Sequence, residues 1–177
     1  MYYCVQGTTP NTLIVIESNS RQFPTKRWVK NDETVVTIKW ATANTDYLCA
    51  RHISHKRKQP FLCYKWNPPM GERGGKFDHI ERDNLWQADW EKWDDHYRSF
   101  GGKHPDPSSG ACAVYCVVER WQPENIGLIG FDYVLDNNTG WIHDARAELK
   151  SIESIVNIID LRTPRREEEI LTGVQQC

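Results

Sequence analysis

Along the first half of the chain, hydrophobic positions come in short runs set off by polar or Pro/Gly-rich stretches. "NTLIVIE" (Asn11 to Glu17) is β-branched and bounded by polar residues, the pattern of a buried strand. "ETVVTIKWA" (Glu33 to Ala41), "DYLCARH" (Asp46 to His52) and "KQPFLCYKW" (Lys58 to Trp66) read as a second, third and fourth strand. Between them, "SNSRQFPTKRWVKND" reads as a loop, with or without a helical turn, broken near Pro24, and "NPPMGERGGKFDH", rich in Pro and Gly, also reads as loop.

The period changes in the second half. "ERDNLWQADWEKWDDHYRSF" places Leu85, Trp86, Trp90, Trp93 and Tyr97 mostly three and four apart, which predicts an amphipathic helix with an aromatic stripe. After the loop "GGKHPDPSSG", the stretch "SGACAVYCVVERWQ" predicts a buried helix, apolar nearly all round, with Ser108 or Ser109 as N-cap. "NIGLIGFD" has almost no polar interruption, as a central strand of a parallel sheet requires. "DARAELKSIES" predicts a helix starting at or after His143-Asp144, and "IVNIIDLR" a last strand. Strands alternating with helices imply βαβ units. The expected fold is α/β: a single-domain, Rossmann-like, mainly parallel sheet flanked by helices, spanning residues 1–163, with a charged C-terminal tail at 164–177.

Composition narrows the class. A chain of 177 residues can bury a core without disulfide or metal staples. Its net charge of −2 and pI near 6.3 do not suit a general nucleic-acid or membrane-surface binder. No apolar run approaches the roughly 20 residues of a membrane span. "MYYCVQGTTP" lacks the basic and apolar regions of a secretory leader. Six cysteines without CxxC spacing read as reduced core residues of a cytoplasmic protein. Cys112 and Cys116 share a helix face, but a metal there needs two more ligands, so no metal is expected. Eight tryptophans imply an aromatic core or a groove for a flat or sugar-like ligand.

In an open parallel sheet, ligands bind at the carboxyl ends of the strands, and three features of this sequence fall there. The turn Ser108-Ser109-Gly110 opens a helix, so its N–H groups and hydroxyls suit a phosphate, with Gly110 letting the backbone approach; a plain capped helix start uses the same residues. Asp132 ends a strand at the ligand-facing edge, where it accepts from sugar hydroxyls or caps the next turn. His143, beside Asp144 at a helix start, has the makings of a general base or is a loop histidine without a catalytic role. The remaining histidines show no HxxxH or HExxH spacing.

The order "PSSGACAVYCVVERWQPENIGLIGFDYV", then "WIHDARAELKSI", then "VNIIDL" resembles the C-terminal half of the bacterial sialyltransferase family with a TSG turn, and the wider sialyltransferase-like group of bacteria and phages. The resemblance implies a metal-independent glycosyltransferase with no cofactor, moving a sialic-acid-type sugar from a cytidine nucleotide donor to an acceptor hydroxyl. On that resemblance Ser108, Ser109 and Gly110 would bind the nucleotide phosphate, Asn19 would contact the nucleotide, His143 would deprotonate the acceptor, and Asp132 would line the sugar region. The family's tyrosine pair at the leaving phosphate has no motif match; Tyr115 and Tyr133 are the candidates. The first loop, "ESNSRQ", lacks the family's glycines. That departure keeps open a catalytically degenerate nucleotide-binding protein, acting as sensor, sponge or counter-defence factor. A structural or assembly component, meeting a protein partner or a second copy through a Trp-rich surface, is the third reading.

Overall fold

A computed structural model describes residues 13–18, 32–38, 45–50, 60–65, 85–136 and 143–162. Asn19, the expected loops at 19–31 and 67–79, and the tail at 164–177 lie outside the described residues. The elements are β1 (Ile14–Glu17), β2 (Thr34–Ile38), β3 (Tyr47–Ala50), β4 (Phe61–Cys63), β5 (Leu85–Gln87), α1 (Trp90–Ser99), α2 (Ser109–Trp121), β6 (Asn125–Ile129), α3 (Asp132–Leu135), α4 (Ala145–Glu153) and β7 (Asn157–Asp160). The strands form one seven-stranded sheet in the order β5-β4-β3-β2-β1-β6-β7, and every pairing is parallel. With its flanking helices this is a Rossmann-like α/β fold, and the sheet is wholly rather than mainly parallel.

β1 sits near the middle and is buried on both faces, which is why "LIVI" carries no polar residue. Ile14 and Ile16 point into the main core with Trp93 and Tyr97 of α1, the apolar length of α2, and Ile152 of α4. Val15 points the other way, against Ile129 and Leu161. Helix α2 lies across β1 to β4, and residues 111–117 are almost wholly withdrawn from water. A helix apolar all round needs this depth, since any exposed side would leave valines and alanines in water.

The aromatic segment differs from the expectation. Leu85–Gln87 is the edge strand β5, and the helix begins only at Trp90, after the Asp89 carboxylate accepts from the Lys92 N–H at 3.3 Å. Trp86 keeps the spacing of a helix stripe because both elements turn it into the same core. A three-residue strand is too short to show its own period. Trp93 stacks on Tyr115 with ring centroids 5.0 Å apart, and Trp86 is 9% exposed, so these tryptophans serve the core. The strand expected over 125–132 ends at Ile129; Gly130 takes a φ of 76°, and α3 starts at Asp132.

Candidate functional site

Leaving β1, the chain builds outward through β2 to β5, then returns to the other side of β1 as β6. The reversal falls between β1 and β6, and open α/β sheets take ligands at the carboxyl ends of strands at such a point. Ser18 N–H donates to the Ile129 carbonyl at 2.9 Å, so the carboxyl edge of these two strands lies just past Glu17 and Ile129. The N-termini of α2 and α4 reach this edge, because each helix must run back across the sheet before the next strand.

Ser108 is the N-cap of α2: its hydroxyl oxygen accepts from the Ala111 N–H at 3.2 Å. The same residue is claimed by α4. Ser108 N–H donates to Glu148 Oε1 at 2.6 Å, and its hydroxyl donates to Glu148 Oε2 at 2.7 Å. Glu148 is fully buried, and burial raises its carboxyl above the usual range, although the two Ser108 bonds pull it back down. Part of the expected phosphate seat therefore already holds an anion supplied by the chain. The N–H groups of Ser109 and Gly110, both half-buried, have no partner among the described residues and suit a ligand. Gly110 has a second reason to be glycine: a Cβ there would stand 2.7 Å from Cε1 of Phe131, the residue before Asp132. The α2 terminus thus rests on the end of β6.

His143 stands at the same place. Its Nδ1 is 3.2 Å from the Asp106 carbonyl oxygen, two residues before Ser108. The neighbouring carboxylate plays no part in this contact: Asp144 is the N-cap of α4, accepting from Ala147 N–H at 3.1 Å. A carbonyl only accepts, so the contact puts the His143 proton on Nδ1 and leaves Nε2 as the basic nitrogen. His104, which the spacing of histidines did not single out, is the second imidazole here. Its Nδ1 lies 2.7 Å from the same carbonyl oxygen, and its ring centroid is 4.3 Å from that of His143. Lys65, just beyond β4, pairs with the Asp106 carboxylate at 3.5 Å and lies 3.8 Å from the Trp90 ring centroid.

Asp132 is engaged elsewhere along the edge. Arg162, just past β7, reaches Asp132 at 3.2 Å, Asp136 at 2.8 Å and Asp160 at 2.8 Å. Tyr115 is wholly buried with its hydroxyl bonded to Ser151, so it faces the core; Tyr133 is 47% exposed. Cys112 and Cys116 are buried too, Cys112 Sγ lying 3.7 Å from the Pro107 carbonyl oxygen. Among the described residues no three His, Cys, Asp or Glu side chains converge as metal ligands. No described helix is long and apolar enough to cross a membrane.

The structure thus brings Ser108, Ser109, Gly110 and His143 together, and sets Asp132 in a separate ion cluster. It adds Glu148, His104 and Asp106. Glu17 ends the central strand on the Val15 face, away from α2, and half-burial alone pushes its carboxyl up to about 7. An acid closing the run "TLIVIE" was the one available signal for it. Chemically, the α2 side of the edge offers two helix N–H groups for an anion and an imidazole with its tautomer set.

No family model, curated protein or solved structure matches the chain.

Proposed function

We propose that the chain binds a nucleotide at this edge and acts as a metal-independent glycosyltransferase of the sialyltransferase-like kind. In this reading it transfers a sialic-acid-type sugar from a cytidine nucleotide to an acceptor hydroxyl. The observation that carries the reading is the meeting of the α2 N-terminus with His143 through one carbonyl, that of Asp106. An anion seat and a base candidate are what displacement at a sugar bearing a phosphate leaving group requires.

In the step, the acceptor oxygen forms a bond to the anomeric carbon while the bond from that carbon to the phosphate oxygen breaks. The acceptor proton passes to Nε2 of His143, and the electron pair leaves with the phosphate, against the N–H groups of Ser109 and Gly110. Base catalysis of this kind contributes about 10²–10⁴-fold, and positioning supplies much of the rest.

One observation favours the second reading, a nucleotide-binding protein without turnover. Glu148 already takes two of the donors that Ser108 brings, so the phosphate seat is narrower than a free helix terminus. Calorimetric titration with cytidine, uridine, adenosine and guanosine monophosphates separates the possibilities, repeated on Ser109→Ala and His143→Ala. Selective cytidine nucleotide binding, weakened by Ser109→Ala and not by His143→Ala, supports the nucleotide reading. Hydrolysis of a cytidine-linked sialic acid by the wild type but not by His143→Ala then supports the transferase. No nucleotide binding at all overturns both.

A further inference from the structure

His143 has a twin in His104, contributed by a different part of the chain and held by the same atom. The Asp106 carbonyl oxygen receives both Nδ1 atoms, at 2.7 Å from His104 and 3.2 Å from His143. The Asp106 N–H also approaches His104 Nδ1, at 3.3 Å, but a nitrogen that donates at 2.7 Å has no lone pair left for it. His104 Nε2 is consequently the nitrogen left for another partner, and no described residue bonds to it.

The loop carrying His104 is firmly based. It leaves α1 through Gly101, whose φ is 92°, and Gly102 N–H bonds back to the Tyr97 carbonyl at 3.3 Å. A Cβ on Gly102 would collide with the Tyr97 ring, so the loop lies directly on that buried side chain. Six residues further on, the loop becomes the Ser108 cap, whose Glu148 partner also feels the charge of His104. The charged groups around the imidazole are thus Glu148 and Asp144 of α4, the Asp106 carboxylate with Lys65, and His143.

We propose that His104 is a phosphate-binding residue of this site, its Nε2 meeting a ligand phosphate beside the N–H groups of Ser109 and Gly110. The proposal rests on the nucleotide reading of the edge and names a contact that this reading does not contain. A phosphate oxygen keeps a proton on the facing imidazole nitrogen, which makes the hydrogen bond charge-assisted. His104 then anchors the leaving group, while His143 meets the acceptor hydroxyl.

The test uses the nucleoside monophosphate that binds best among the four and its parent nucleoside, titrated into the wild type and His104→Asn. Asparagine keeps a side-chain N–H for the Asp106 carbonyl and removes the Nε2 position. The expected result is a loss of about tenfold or more in monophosphate affinity, with nucleoside affinity unchanged. A purely structural His104 would weaken both ligands alike, and that outcome, or an unaltered phosphate advantage, overturns the proposal. Should the variant not fold, nitrogen NMR of the wild type decides: monophosphate should move His104 Nε2 to a protonated position, and an unmoved resonance rejects the contact. Nucleotide binding that ignores His104 defeats this inference alone, whereas absence of any nucleotide binding defeats the nucleotide reading with it.

Discussion

Two polar knots lie on the same edge of the sheet and hold their carboxylates in opposite ways. At the α2 terminus, Glu148 is sealed from water and satisfied by the N–H and hydroxyl of one serine, with no cation among the described residues bonded to it. At the β6–β7 end, Arg162 gathers three aspartates whose side chains remain 33%, 60% and 39% exposed. Both bring distant residues together, yet they differ in what breaking them leaves behind. Removing Glu148 strands two buried donors; removing Arg162 returns its carboxylates to water. Burial decides which knot the fold depends on, far more than the number of charges in it.

The largest expected effect is therefore at the sealed knot. Glu148→Ala should destabilise the protein by about 2–4 kcal/mol in urea unfolding, through unsatisfied donors and a cavity. A loss below about 1 kcal/mol would mean that water reaches Ser108 and that the two knots are alike. Next, Gly110→Ala should cost about 1–3 kcal/mol, because the new methyl meets Phe131. Adding Phe131→Ala should make the double variant less destabilised than the sum of the two single changes, since the clash is shared. Simple additivity would show that Gly110 is not held by this contact.

Protonation sharpens the contrast. Glu17 and Glu148 both bind a proton more tightly in the folded chain than their ordinary value of 4.5 allows, burial being the first cause in each. For such groups the folded state carries more protons, so stability is fullest at low pH and declines as pH rises from about 4.5; for Glu17 the decline ends near 7. Asp160 works in the opposite sense. Burial opposes its ionisation, but the hydrogen bonds and charge of Arg162 prevail and lower its carboxyl, so its contribution is present above its ordinary value and lost as pH falls. Comparing urea midpoints at pH 5 and pH 7.5, Glu17→Gln should flatten the decline by under about 1 kcal/mol, because water screens a half-exposed carboxyl. An unchanged slope would place Glu17 in water.

The smallest effect belongs to the open knot. Arg162→Ala should cost no more than about 1 kcal/mol in the same unfolding experiment. A larger loss would make the cluster a buried anchor of β7 and erase the difference between the two regions.

Much of the fold was legible in the chain. β1, β2, β6, α2 and α4 coincide with runs whose period and caps are local, and alternating strands and helices already implied a parallel sheet. β5 was hidden because three residues cannot display alternation, and Trp86 happened to continue the spacing of the helix after it. The site was legible only in part. Ser108 as a cap and His143 before a helix follow from neighbouring residues. That Asp144 serves α4 instead of His143, and that Asp106 holds two imidazoles, do not.

What the sequence determined by itself was the layered α/β architecture, since hydrophobic period, helix caps and short connections act over a few residues at a time. What only the tertiary structure decided was the pairing of Glu148 with Ser108, of His104 with His143, and of Arg162 with Asp132. Those partners stand 40, 39 and 30 residues apart along the chain. They meet because parallel strands return every helix N-terminus to one edge, and the burial found there then sets how each group holds its proton.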